Sequence, residues 1–218
     1  IVVNSTSKYI NANSSAISGV ITDGGKFKWD TEKYPGMKDF KKFGPFAYTA
    51  KLRNGLFRNT GACLSPQNAF YNSIGMETLG LRMERVCDNA KKLAQFFATE
   101  YSDIEVNYPG LAGSKWHNIA TEQFGDKFGG IITIRTGNKK RAFGIIDALK
   151  LPLIVSNIGD TKTLVIHPES TLNVHSTQEE KETAGVFDDL IRISVGIEDI
   201  DDLIDDFKQA IESVKDVY

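Results

Sequence analysis

The sequence is poor in the residues that make metal centres and covalent cross-links. It has two cysteines and three histidines; Cys63 and Cys87 form no CxxC pair and have no histidine cluster beside them. Neither a disulfide framework nor a metal site is expected, and a reducing cytoplasm fits this cysteine usage. Long hydrophobic runs are missing as well. No apolar stretch approaches the ~20 residues that span a bilayer, and Ile1-Val2-Val3 lacks the basic flank of a secretory signal. Charge of one sign is also absent: 26 Lys and Arg against 28 Asp and Glu leave a net charge of −2. Nothing in that balance points to nucleic acid or an anionic membrane as partner. There are no repeats, no low-complexity segment and no initiator methionine. The chain opens inside what reads as a buried strand, whereas domain boundaries favour exposed linkers. It is therefore expected to be the C-terminal part of a larger protein.

What is present is ordinary for a soluble globular chain: 218 residues, 41% hydrophobic and 25% charged, enough for one large or two modest cores. The apolar triplet and residues 19–22 read as two buried strands, the second closed by Asp23-Gly24-Gly25. Residues 26–45, polar and aromatic, read as a surface excursion with one short helix, and residues 47–56 have helical character. Ser65-Pro66 marks a helix start, a serine cap followed by proline at the first helical position. Leu79, Met83, Val86, Cys87, Ala90, Leu93, Ala94 and Phe97 then recur at helical spacing, with Arg82, Glu84, Arg85 and Asp88 between them. This predicts a helix over residues 66–98, on the order of 50 Å long at 1.5 Å per residue. Such a rod must bend or bridge two domains, and the boundary is placed near residue 75, dividing 1–75 from 76–218. Beyond it, short strands at 104–107, 131–134, 151–155, 163–166 and 190–195 alternate with helices at 117–124, 140–149 and 200–217. That is an α/β pattern. Asp201, Asp202, Asp205 and Asp206 crowd the start of the last helix, where they suit its dipole, and read as a solvated face.

Three places could carry chemistry. Asn4-Ser5-Thr6-Ser7-Lys8 brings three hydroxyls and an amine together where a strand ends. Hydroxyls and free amides there could surround a phosphate while a partly desolvated lysine attacks a carbonyl; an ordinary Ser/Thr-rich turn is the plain alternative. In Leu190-Ile191-Arg192-Ile193-Ser194-Val195, alternation sets Arg192 and Ser194 opposite Ile191, Ile193 and Val195. The Arg192 fork could take a carboxylate through two bonds, or simply face solvent. Asn157 alone reads as a turn residue, and His167, before Pro168, as a loop histidine bonding to backbone. His117 and His175 receive no role.

The segment from Asn4 to Lys8, followed by Tyr9, resembles the cofactor-lysine motif His-Ser-x-Thr-Lys-aromatic of the Cys/Met-metabolism enzymes that use pyridoxal phosphate (PLP). Asn4 stands for the histidine, Ser7 for the threonine, and Asn11-Ala12-Asn13 for Gly-Gly-His. Residues 156–168, Ser-Asn-Ile-Gly-Asp-Thr-Lys-Thr-Leu-Val-Ile-His-Pro, resemble the corresponding stretch of the O-acetylhomoserine sulfhydrylases. Residues 190–199 resemble the family's closing arginine motif, and residues 60–70 and 75–85 its interdomain helix. The resemblance covers nearly the whole chain. It implies a fold-type-I PLP-dependent transferase (aspartate-aminotransferase-like), here the C-terminal portion of the large domain plus the small α/β domain. It further implies that Lys8 is the Schiff-base lysine, that Ser5 and Ser7 hold the phosphate, and that Asn157 and Arg192 bind the substrate carboxylate. The implied reaction is γ-replacement, O-acetyl-L-homoserine plus sulfide giving L-homocysteine and acetate. The expected assembly is a cytoplasmic homotetramer with active sites at a dimer interface, completed by an upstream segment. The γ-lyases and cystathionine γ-synthases, and a non-catalytic protein on the same fold, are the alternatives.

Overall fold

The computed structural model describes residues 1–214; Lys215 and Val217, which the expected last helix included, lie outside them. The chain opens with β1 (Val2–Ser5) and β2 (Gly19–Thr22), which pair antiparallel as an isolated two-stranded sheet, Val3 opposite Ile21. Both are strands, as expected, but not buried ones. Every residue of the two is exposed, Val3 at 70%. Apolar β-branched side chains favour the pleated conformation, yet a lone ribbon has no second layer to bury them.

Residues 26–34 carry a cluster in which Trp29 stacks on Tyr48 with centroids 5.9 Å apart and meets Tyr34 edge-on at 5.5 Å. A 3-10 helix (Pro35–Phe46), broken at Gly44, runs into α1 (Ala47–Leu52), a π-turn (Arg53–Phe57) and α2 (Arg58–Thr60), which stops at Gly61 in the left-handed region. The expected rod over 66–98 is two helices, α3 (Pro66–Glu77) and α4 (Leu79–Glu100). Ser65 caps α3 as expected, accepting from the Asn68 amide at 3.2 Å. The break falls at Thr78, whose backbone (φ −106°, ψ 4°) leaves the helical region. There, Arg82 bonds across the break, its Nη2 donating to Gly75 O of α3 and its Nε to Thr78 Oγ1.

The rest is a two-layer α/β sandwich. Strands β3 (Glu105–Asn107), β4 (Ile131–Arg135), β5 (Leu153–Ile154), β6 (Leu164–Ile166) and β7 (Leu190–Ser194) form one sheet in the order β3-β4-β7-β6-β5. All its pairs are antiparallel except β5–β6. Helices α4, α6 (Lys139–Ala148) and α8 (Ile200–Ser213) share one core with this sheet; α5 (His117–Phe124) and α7 (Gln178–Thr183) are shorter connections. Ile132, Ile134, Ile191 and Ile193 meet Leu93, Phe97, Leu203 and Phe207 there, all fully buried, with Phe97 and Phe207 edge-to-face at 5.2 Å. Each such side chain contributes ~1.5–3 kcal/mol by leaving water. Cys87 is buried beside this stripe, as expected; Cys63 is exposed.

The expected solvated acidic face on α8 holds for Asp201, Asp202 and Asp205 but fails at Asp206. Buried there, Asp206 accepts from the amides of Lys150 and Leu151 at 2.9 and 2.8 Å, satisfying donors released where α6 ends. Among the described residues no helix is long and apolar enough to cross a membrane.

Candidate active site

The ribbon positions Lys8. Ser7 Oγ accepts from the Ser18 amide at 2.9 Å and donates to Ser18 O at 3.3 Å, and Thr6 Oγ1 donates to Ser18 Oγ at 2.5 Å. These bonds zip the end of β1 to the start of β2. The chain then closes a tight turn, with the Asn11 and Ala12 amides both donating to Lys8 O at 3.1 and 3.3 Å. Ala12 and Ser14 lie at φ +78° and +59°, where non-glycine residues are strained. A loop held in that shape is held by its surroundings.

The half-buried Lys8 side chain crosses to the second unit of the sequence pattern and donates from Nζ to Asn157 Oδ1. Asn157 Nδ2 donates to Ser14 Oγ at 2.5 Å, and Asn157 O accepts from Arg192 Nη2 at 3.2 Å. One asparagine thus joins the lysine turn to the arginine of β7. Alternation along β7 is as expected: Ile191 and Ile193 enter the core, while Arg192 lies half-buried on the other face. Burial draws the Arg192 pKa below its ordinary value, though a guanidinium stays charged. Among the described residues no carboxylate pairs with it, so its fork retains free donors. Ser194, on the same face, accepts from the Gly159 amide at 3.0 Å.

At Gly159 the backbones of the two segments also pack closely. At φ +74° its backbone suits glycine, and a Cβ would lie 2.8 Å from the Tyr9 amide nitrogen. Tyr9 fills the space between this loop and β7. Burial raises its phenol pKa, and a hydrogen bond with Ser194 partly opposes that. Sequence reasoning gave no role to Tyr9, Ser14 or Arg82. Tyr9 was visible as the aromatic after the lysine; Ser14 had no local signal, because its partner is far along the chain.

Ser5 is exposed and accepts from the Ser7 amide at 3.3 Å, leaving its hydroxyl proton to give; Ser7 has committed its hydroxyl to Ser18. His167 is buried and bonds Ser170 Oγ and Asp188 O, each at 2.8 Å, the backbone-tying role expected of it. His117 Nδ1 meets Pro109 O at 2.9 Å, and His175 is exposed. Two hollows lie elsewhere. One of about 760 Å³ is walled by Trp29, Tyr34, Met37 and Tyr48, and one of about 840 Å³ by Val106, Trp116, Arg135 and Phe187. Neither contains an amine set against a free arginine fork, which is why the site is placed at Lys8.

The model of the family described as Cys/Met metabolism PLP-dependent enzyme matches residues 1–212. The chain is 38% identical to the O-acetyl-L-homoserine sulfhydrylase of Corynebacterium glutamicum, over 98% of this chain and 52% of that protein. It is also 38% identical to the homocysteine synthase of Schizosaccharomyces pombe, over 97% of this chain and 52% of that one. Among solved structures, it superposes on a putative O-acetylhomoserine (thiol)-lyase of Campylobacter jejuni, crystallised with N'-pyridoxyl-lysine-5'-monophosphate. The TM-score is 0.85 at 35% identity, over 96% of this chain and 53% of that one. The chain spans about half the length of the curated relatives it matches.

Proposed function

The chain belongs to the Cys/Met metabolism family of PLP-dependent enzymes, and from that we propose that it is the C-terminal part of an O-acetyl-L-homoserine sulfhydrylase. Its fold is the corresponding portion of a fold-type-I PLP enzyme. The whole protein would join sulfide to O-acetyl-L-homoserine, releasing acetate and leaving L-homocysteine. The observation that carries this reading is the meeting of Lys8 and Arg192, far apart in sequence, at one asparagine, Lys8 at the side-chain oxygen of Asn157 and Arg192 at its backbone oxygen.

The residues present fit the aldehyde and phosphate ends of PLP. A lysine amine lies three residues after a serine whose hydroxyl proton is uncommitted. Lys8 would hold the aldehyde, and Ser5 and Ser7 the phosphate, Ser7 giving up its bond to Ser18. When bound, the cofactor supplies an electron sink conjugated to the substrate nitrogen. The rest falls to this chain. Arg192, with Asn157, clamps the substrate carboxylate and so fixes the direction of the Cα–H bond. The Lys8 amine, once neutral, takes the Cα proton and moves protons between Cα and Cβ as acetate leaves Cγ and sulfide adds there. Partial burial of Arg192 reduces the screening of the clamp by water.

In this reading residues 1–75 end the large cofactor domain and 76–218 form the small one, a division supported by the helix break at Thr78. The protein works in the cytoplasm as a homotetramer with active sites at a dimer interface. The exposed apolar faces of β1 and β2 suit cover by the upstream segment of the same protein. The test is to compare the full-length protein with this chain alone, each given PLP, O-acetylhomoserine and sulfide. Homocysteine should form only with the first. Methionine and cysteine serve as competing substrates that separate γ-replacement from γ-elimination. Borohydride reduction and peptide mapping should place the pyridoxyl group on Lys8, and Lys8→Ala should slow turnover by ~10²–10⁴-fold. Homocysteine from the chain alone, or an adduct on another lysine, would overturn the reading.

A further inference from the structure

We infer that Arg82 is a positioning residue for Lys8, seating the backbone of the lysine turn on the junction of α3 and α4. Arg82 is 8% exposed. Its Nη1 donates to Tyr9 O at 2.7 Å, its Nη2 to Gly75 O at 2.6 Å and its Nε to Thr78 Oγ1 at 3.1 Å. All three acceptors are neutral, and among the described residues no carboxylate pairs with the guanidinium. A buried charge held only by dipoles is a costly arrangement. The end of α3 explains how it persists: the carbonyls of the last turn lack helical partners and carry the negative end of the helix dipole. Arg82 satisfies one of them, and the same planar fork reaches the residue after Lys8.

Two further contacts make this a seat. Asn72 and Gly75 are the buried residues of α3, and both face the lysine turn. Asn11 Nδ2 donates to Asn72 Oδ1 at 3.3 Å. A Cβ at Gly75 would lie 2.3 Å from Ile10 O, so the helix rests directly on the loop backbone. The loop bearing Ala12 and Ser14 in the left-handed region is thus gripped from the helix side by Arg82, Gly75 and Asn72. From the sheet side Gly159 and Asn157 hold it. Lys8 extends between the two grips, and rotation of the turn would swing its amine away from Asn157.

The inference rests on the reading of Lys8 as the cofactor lysine, and the full-length holoenzyme tests it. Arg82→Met, Arg82→Lys and Thr78→Val are compared for the pH midpoint of the bound-cofactor absorbance, cofactor loss on dialysis, borohydride trapping at Lys8, kcat and KM. Arg82→Met should move the absorbance midpoint, speed cofactor loss and lower kcat by ~10²-fold, the scale for an ångström-level misplacement. KM should change little, because the Arg192 clamp is untouched. Arg82→Lys should recover part of each effect, and Thr78→Val, at an exposed position, should show a smaller shift in the same direction. A folded Arg82→Met enzyme with wild-type absorbance midpoint and kcat, altered only in thermal stability, overturns the inference. If Arg82→Met does not fold, Thr78→Val decides: a shifted midpoint supports it and an unshifted one overturns it. A wild-type enzyme with no adduct at Lys8 sinks both the reading and the inference; an adduct with unaffected variants sinks the inference alone.

Discussion

Residues before Leu79 and residues after it are held together by different means. After Leu79, isoleucines of β4 and β7 and aromatics of α4 and α8 close a core from which water is excluded. Before it, Ala16, Met37 and Ala47 are the buried apolar side chains among the described residues, while Val3, Ile17, Phe46 and Phe70 lie in the open. What orders the lysine turn there is polar: Ser7 and Thr6 on Ser18, Asn72 on Asn11, Arg82 on Tyr9. Hydrophobic burial is non-directional and gives bulk stability, whereas hydrogen bonds fix angles. The sandwich provides the first, and the lysine turn needs the second.

The contrast is open to direct attack. Phe207→Ala should cost ~3–5 kcal/mol in urea unfolding, a buried aromatic leaving a cavity beside Phe97. Phe46→Ala, at a site 71% exposed, should cost under ~0.5 kcal/mol in this chain. Equal costs would erase the distinction, and a larger cost for Phe46→Ala in the full-length protein would show that the face is covered there. Next in size, Asp206→Ala should cost ~1–3 kcal/mol, because the Lys150 and Leu151 amides lose their acceptor inside the sandwich. Calorimetry of Asp206→Ala beside the wild type would read it. It would show that the sandwich, too, depends on one polar cap.

The smallest effect concerns Glu169, bonded by Lys139 at 2.8 Å and Lys181 at 2.6 Å, which ties α6 to α7. Hydrogen bonds from the two lysines lower its pKa from 4.5 to about 2. A depressed carboxylate adds stability that is complete above its unfolded pKa and lost as pH falls through the folded value. The gap in melting temperature between wild type and Glu169→Gln should therefore close between about pH 4.5 and pH 2. It should also narrow with added salt, since the group is near the surface. A gap independent of pH over that range would rule out the ion pairs as its source.

Much of this was legible in the chain and some was not, for identifiable reasons. Strand alternation exposed Arg192, because period 2 leaves a polar residue only one face to occupy. The Ser65 cap was equally plain. The strands at the start were identified correctly and their burial was not, since an apolar side chain states a preference while only a covering layer can satisfy it. Arg82 stood between the apolar positions of the stripe, with no role read for it. A signal was there: Asn89, two turns later on the same side of the stripe, is also polar and buried, donating to Gly196 O and Glu198 O. Polar residues repeated at the margin of an apolar stripe mark a helix packed against backbone acceptors. The helix over 66–98, expected to bend or to bridge two domains, breaks at Thr78; the place of the break was not legible because helical propensity is local, whereas the break is stabilised by an arginine that bonds across it.

Composition and periodicity by themselves determined the α/β class, the apolar stripes of α4 and α8, and the proximity of hydroxyls to one lysine, because each depends on neighbours within a few residues. Only the tertiary structure decided that Lys8 and Arg192 meet at Asn157, one at its side-chain oxygen and the other at its backbone oxygen, and that a buried guanidinium underlies the lysine turn. Those facts depend on segments brought together across most of the chain, and no local pattern encodes the distance between them.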